Sequence, residues 1–195
     1  MIKIKQEIEI EFKNLLTEEE YQQLINHFSS SNQQIIHQKN HYFDTFDFQL
    51  KTHKSALRIR EKKDQFQLTL KQPNPNGPGL LETHCTITEK EAKQFINGTI
   101  IDKAPITHAL TKVNIPIDQL RYGGALETYR IEHDYQQTTL VLDKSHYNNH
   151  IDYELELEAS SEEHGTEVFN TLLEQWAIPK RKTPNKIERF YHTIK

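Results

Sequence analysis

The run Glu7-Ile8-Glu9-Ile10-Glu11-Phe12-Lys13 alternates acid and apolar residues before closing on a lysine. A β-strand sends successive side chains to opposite faces, so Glu7, Glu9, Glu11 and Lys13 share one side. Ile8, Ile10 and Phe12 share the other. Same-face neighbours stand roughly 6.5–7 Å apart, and carboxylates lined up at that spacing repel unless something cationic lies above them. Near the far end, Glu154-Leu155-Glu156-Leu157-Glu158 is almost a copy of the same run. Cationic residues obey the same period: Arg58, Arg60 and Lys62 alternate with Leu57, Ile59 and Glu61.

The rest of the chain supplies elements to position these groups. Thr17 is placed to cap a helix with Glu18, Glu19 and Glu20 in its first turn, and Tyr21, Leu24, Ile25 and Phe28 give it an apolar stripe. Ser29-Ser30-Ser31-Asn32 is expected to end it. Extended segments are expected over 34–45, 55–62, 65–71, 80–88, 126–133, 138–143 and 152–159. Pro73-Asn74-Pro75-Asn76-Gly77-Pro78-Gly79 is a loop by composition, and Gly123-Gly124 reads as a turn or bulge. Residues 89–120 look mainly helical, with Pro105 and Pro116 as breaks. Ser160 or Ser161 caps a further helix reaching about Trp176, and Lys186–Ile194 reads as a short closing helix.

At 195 residues the chain suits a single domain with a sizeable core. A hydrophobic fraction of 35% requires the apolar residues to be gathered on chosen faces. A net charge of −4 argues against binding nucleic acid through a basic surface. One cysteine, Cys85, allows no internal disulfide, which fits a reducing compartment. No apolar stretch approaches the roughly 20 residues that span a bilayer, and the opening Met1–Lys5 lacks signal-peptide features. A cytoplasmic protein without a membrane partner is expected.

About eight strands with tight connections indicate an α+β protein with an antiparallel sheet. Their polar sides collect Glu7, Glu9, Glu11, Glu82, Glu154, Glu156, Glu158 and Asp143, together with Lys13, Arg58, Arg60, Lys71, Arg130 and Lys186. Two architectures satisfy the pattern. In a sandwich the apolar faces meet and the charges look at water; in a closed barrel jacketed by helices the charges line the interior. Alternation fixes sides, not which side is inward.

Beyond alternation, Glu9-Ile10-Glu11-Phe12-Lys13 matches the ExExK signature of the CYTH superfamily, the triphosphate tunnel metalloenzymes. Order and type also agree at Tyr42-Phe43-Asp44-Thr45, Leu57-Arg58-Ile59-Arg60, Leu70-Lys71, Glu82, Arg130, Leu142-Asp143, the run from Tyr153 to Glu158 and the late Lys186. The sequence thus resembles this family over nearly its whole length, most closely a bacterial branch. The resemblance implies an eight-stranded antiparallel β-barrel with helices packed outside. It implies that Lys13, Arg58, Arg60, Lys71, Arg130 and Lys186 bind a triphosphate. Glu9, Glu11, Glu156 and Glu158 become the preferred ligands of a catalytic Mg²⁺ or Mn²⁺, with Glu154, Glu82 and Asp143 as further ligands. Hydrolysis of inorganic tripolyphosphate or a thiamine triphosphate-like compound is the expected activity. A class IV-type adenylyl cyclase and a non-catalytic polyphosphate-binding module are the alternatives, in a monomer or homodimer.

Other signals carry less. Eleven histidines are scattered without metal-binding spacing. His84 falls on the polar side, where a supporting role is expected. His146 and His150 flank an exposed Asn148-Asn149 turn. Cys85 reads as a small core residue, Trp176 as packing, and Lys180-Arg181-Lys182 as a solvated loop, with a lip of the phosphate site as the alternative.

Overall fold

A computed structural model describes residues 4–28 and 34–193; the expected helix end at Ser29-Ser30-Ser31-Asn32, and Ile194, lie outside the described residues. In chain order the elements are β1 (Ile4–Leu16), α1 (Glu18–Phe28), β2 (Ile36–Thr45), α2 (Gln49–Thr52), β3 (Ala56–Lys62), β4 (Gln65–Pro73) and β5 (Leu80–Ile87). They continue with α3 (Glu89–Ile96), α4 (Ala104–Thr111), a 3-10 turn (Ile117–Gln119), β6 (Leu120–Tyr135), β7 (Thr138–Tyr147), β8 (His150–Ala159), α5 (Glu162–Gln175) and α6 (Lys186–His192). The eight strands form one closed antiparallel barrel, in the order β1-β5-β4-β3-β2-β6-β7-β8.

The chain divides into two compact units, one running up to Ile8 and over Gln38–Leu126, the other comprising Glu9–His37 and the residues from Glu127 onward. In the first unit, β2, β3, β4 and β5 pair in sequence. Leu57, Ile59, Leu68, Leu70 and Cys85 pack beneath Ala92 and Phe95 of α3 and Ile106 and Leu110 of α4. In the second, β1 pairs with β8, which pairs with β7, which pairs with β6. Leu140, Leu142, Leu155 and Leu157 pack beneath Leu24 of α1 and Val168, Phe169 and Leu172 of α5. Each such side chain contributes roughly 1.5–3 kcal/mol by leaving water. Helices therefore claim the apolar faces, and the charged faces are the barrel's inner ones. The sandwich is excluded.

Local chemistry sets the boundaries. Thr17 and Glu20 form a reciprocal cap: the Glu20 N–H donates to Thr17 Oγ1 (3.2 Å) and the Thr17 N–H to Glu20 Oε2 (2.8 Å). Ser161, not Ser160, caps α5 through the His164 N–H. Asp44 ties β2 to α2, its carboxylate accepting from the N–H groups of Thr45, Leu50 and Lys51. Two-residue turns with both residues left-handed, Lys63-Asp64, Gln136-Gln137 and Asn148-Asn149, join β3 to β4, β6 to β7 and β7 to β8.

Several expectations need correction. β6 and β7 are longer than 126–133 and 138–143: β6 begins at Leu120 and runs on to Tyr135, opposite Thr138, and β7 runs on to Tyr147, opposite His150 at the next turn. Gly123-Gly124 lies inside β6; Gly124 has φ +126°, a backbone conformation L side chains rarely adopt. Pro105 helps to begin α4 instead of breaking a helix, since the first turn needs no N–H there. α2 carried no sequence signal of its own.

α5 approaches the sheet at Gly165. A Cβ there would stand 2.2 Å from the Phe12 ring and 2.7 Å from Ala159 Cβ. Gly165→Ala is expected to destabilise the protein by about 1–3 kcal/mol through overpacking, despite alanine's better helix propensity. A melting temperature equal to or above wild type would contradict this packing.

Candidate functional site

In the first unit the polar side chains form cross-strand rows. Arg58 lies opposite Tyr42 on β2 and Thr69 on β4, and Thr69 lies opposite His84 on β5. Arg60 heads the neighbouring row, between Asn40 and Gln67, and its Nε donates to Asn40 Oδ1 (3.1 Å). Lys71 and Glu82 are opposite one another and ion-paired. His84 is buried, its Nδ1 3.0 Å from Thr69 Oγ1 and its Nε2 2.9 Å from Glu7 Oε1. Arg58 differs from its neighbours: its Nε is buried and has no hydrogen-bond partner among the described residues. A desolvated guanidinium N–H without an acceptor is costly, and an anion would relieve it.

In the second unit β1 and β8 run side by side, with Glu11 opposite Glu158 and Lys13 opposite Glu156. Two sets of carboxylates result. The first, Asp143, Glu154 and Glu156, is almost wholly buried and already neutralised. Arg130 donates to Asp143 through Nε (2.8 Å) and Nη2 (2.7 Å), and to Glu156 through Nη2 (2.6 Å). Lys186 Nζ stands 2.5 Å from Asp143 and 2.8 Å from Glu154, and also bonds Glu156. Arg189 Nη2 donates to Glu154 at 2.7 Å. Burial opposes the charge on Glu156, but Lys186 and Arg130 outweigh it and hold that carboxyl well below the usual range.

The second set, Glu9, Glu11 and Glu158, is less well compensated. Partial burial, with Glu9, Glu156 and Glu11 close by, pushes Glu158 up to about 7, although Arg130 pulls the other way from 3.9 Å. Lys13 balances Glu11 at 2.9 Å, and its Nζ also donates to Asn185 Oδ1 at 2.6 Å.

Do these residues suit a divalent metal? Among the described residues no three His, Cys, Asp or Glu side chains already form a cage. The donor chemistry nonetheless fits. Glu9, Glu11 and Glu158 offer only hard oxygen ligands, and a Mg²⁺- or Mn²⁺-sized charge would offset both the burial and the neighbouring carboxylates that raise Glu158. Asp143 and Glu154 are committed to Arg130, Lys186 and Arg189.

The structure thus brings Glu9, Glu11, Glu154, Glu156, Glu158, Asp143, Lys13, Arg130 and Lys186 together in one unit, and Arg58, Arg60, Lys71 and Glu82 in the other. Sequence reasoning missed Arg189, Asp152, Asn185 and Asn14. Arg189 had a legible signal, because it lies three residues after Lys186 on the same face of a short helix. Asn14 had none: its amide accepts from the Arg181 N–H (2.6 Å) and donates to the Pro179 carbonyl (3.1 Å). Arg181 pairs with Glu20 through both Nη atoms, so it is a fastening and not a solvated cation. His146 is half-buried, not exposed, and its enclosed Nε2 has no hydrogen-bond partner among the described residues.

A jacketed eight-strand barrel with this internal charge pattern defines a family, and the chain belongs to it: the CYTH domain model matches residues 7–191. A Bacillus subtilis (strain 168) relative, "Putative triphosphatase YjbK", is 43% identical over 188 residues, which is 96% of each chain. A solved "putative adenylate cyclase" of Bacillus halodurans is 45% identical with a TM-score of 0.88, covering 95% of this chain and 98% of its own. The Hippeastrum protein HpAC1, described as having a dominant triphosphatase activity, shares the fold at 23% identity and a TM-score of 0.78, covering 95% and 96%. No helix among the described residues is long and apolar enough to cross a membrane.

Glu158 supplies a pH test. Its folded value lies above the ordinary 4.5, so its ionisation costs stability progressively as pH rises from about 4.5 through about 7. Glu158→Gln should therefore raise the metal-free melting temperature at pH 8 and leave it unchanged near pH 4.5. An equal shift at both pH values would show that the carboxylates are not crowded.

Proposed function

We propose that this protein hydrolyses triphosphates with the help of a divalent metal, the substrate being inorganic tripolyphosphate or a small organic triphosphate of the thiamine triphosphate kind, and that it does so in the cytoplasm. The observation that carries this reading is Arg58, a guanidinium on the barrel's inner face whose buried Nε lacks an acceptor, in a ladder that also presents Arg60 and Lys71. The name of the 43% identical relative supports the same chemistry.

The roles follow from charge. Arginine forks grip phosphate oxygens bidentately and stay charged at any working pH, so Arg58 and Arg60 bind and orient the phosphoryl chain. Lys71, Lys13, Arg130 and Lys186 complete the cationic set. Glu9, Glu11 and Glu158 hold Mg²⁺ or Mn²⁺; Glu156, Glu154, Asp143 and Glu82 join them only by exchanging an ion pair with Arg130, Lys186, Arg189 or Lys71 for the metal. When bound, such a metal makes water a better nucleophile at neutral pH and offsets charge on the leaving phosphate. No side-chain nucleophile is needed. The arginines stabilise the phosphate oxygens as the anhydride bond breaks, and the carboxylates act only when ionised, which favours the alkaline side of neutrality.

A cyclase reading has one specific support, the description of the 45% identical structure. Product analysis separates the two. With tripolyphosphate and Mg²⁺ or Mn²⁺, orthophosphate release that stops with a chelator is expected. With ATP, cyclic AMP and pyrophosphate would favour the cyclase, and tight binding without turnover would favour a polyphosphate-binding module. Arg58→Ala should raise KM for tripolyphosphate roughly 10- to 100-fold, the loss of one charged hydrogen bond of about 1.5–3 kcal/mol. A KM unchanged in that variant would remove Arg58 from the site.

A further inference from the structure

Seven residues are too few for a helix to persist by propensity alone, so α6 stands because of what its side chains grip. Lys186 and Arg189 share one face of it. The Arg189 guanidinium is buried and fully used. Its Nε donates to Asp152 Oδ2 (2.8 Å), its Nη2 to Glu154 Oε2 (2.7 Å) and its Nη1 to the Pro184 carbonyl (2.6 Å). Asp152 is steadied in turn by the Tyr147 hydroxyl, which donates to the same Oδ2 at 2.5 Å.

The bond to Pro184 matters because the next two residues carry the contacts to the lysines. Asn185 accepts from Lys13 Nζ at 2.6 Å, and Lys186 reaches Asp143, Glu154 and Glu156. With every nitrogen engaged, Arg189 is not itself a phosphate ligand. We propose that Arg189 is a positioning residue for triphosphate binding: by clamping Asp152, Glu154 and the Pro184 carbonyl, it sets where Lys186 and Lys13 present their ammonium groups. This rests on the function proposed above. A lysine cannot replace it, since one ammonium does not span three acceptors lying in different directions as a planar fork does.

The test uses the full chain with Mg²⁺ and inorganic tripolyphosphate, and compares Arg189→Lys, Arg189→Met, Lys186→Met and the Arg189→Met/Lys186→Met double variant. Calorimetric Kd, KM and kcat, melting temperature and amide hydrogen exchange over 184–192 are measured. Arg189→Lys, which keeps the charge, is expected to exchange faster over 184–192 and to weaken tripolyphosphate binding about tenfold or more, with kcat reduced less. Lys186→Met is expected to add little once Arg189 is gone. A merely structural arginine would lower the melting temperature and leave Kd and KM of the folded protein unchanged, which overturns the inference. So does a double variant whose losses multiply. If wild type neither binds nor hydrolyses tripolyphosphate, the proposed function falls and this inference with it. If wild type does and both Arg189 variants match it, this inference falls alone.

Discussion

The pairing of β1 with β8 is the constraint on which the structure depends. It joins two strands from opposite ends of the sequence and sets Glu11 across from Glu158 and Lys13 across from Glu156. Like charges directly opposite each other destabilise a sheet, so this arrangement must be offset locally. Arg130, Lys186 and Arg189 do so for Asp143, Glu154 and Glu156. Buried ion pairs of this kind add little net stability relative to apolar packing, yet losing one partner costs about 3–5 kcal/mol. The cluster therefore specifies an arrangement more than it strengthens the fold.

Stability comes instead from the other side of the same strands. Leu155 and Leu157 project under α1 and α5 because Glu154, Glu156 and Glu158 project the opposite way. One alternating pattern thus supplies both the core and the charged interior, and a slip of one residue would exchange them. The carboxylates divide by compensation. Those reached by α6 are neutralised, whereas burial, with Glu9, Glu156 and Glu11 close by, lifts Glu158 to about 7. That division separates carboxylates engaged by Arg130, Lys186 and Arg189 from carboxylates that face one another across β1 and β8.

Much of this was legible beforehand. Period-two alternation over 7–13 and 154–158 identified the two strands, and the helical stripe at Tyr21–Phe28 with the helix capped at Ser160 or Ser161 identified their cover. Alternation alone did not tell which face was inward, because it is symmetric; the resemblance to the CYTH family did, and the closed barrel bears that out. Strand length was underestimated where turns used Gln136-Gln137, residues with no turn signature that are held left-handed by the ladders beside them. The partners that give Arg189 its importance were not legible, because two of its three acceptors, Asp152 and Glu154, lie on a distant strand and only the Pro184 carbonyl is close in sequence. Arg181 misled for the opposite reason: its neighbours Lys180 and Lys182 are exposed, and only the distant Glu20 sets it apart.

The long separation between β1 and β8 has a consequence for the nascent chain. β1 emerges early, and its ladder with β8 cannot form until some 140 residues later, when Ala159 has been made. For that interval the strand presents unsatisfied backbone N–H and C=O groups, the kind of border that recruits identical strands. Glu7, Glu9 and Glu11 resist this, since copies aligned edge to edge would stack carboxylate on carboxylate. Glu9 and Glu11, which crowd Glu158 in the finished barrel, thus have a second use with Glu7 while the barrel is still open: their charge disfavours pairing between copies.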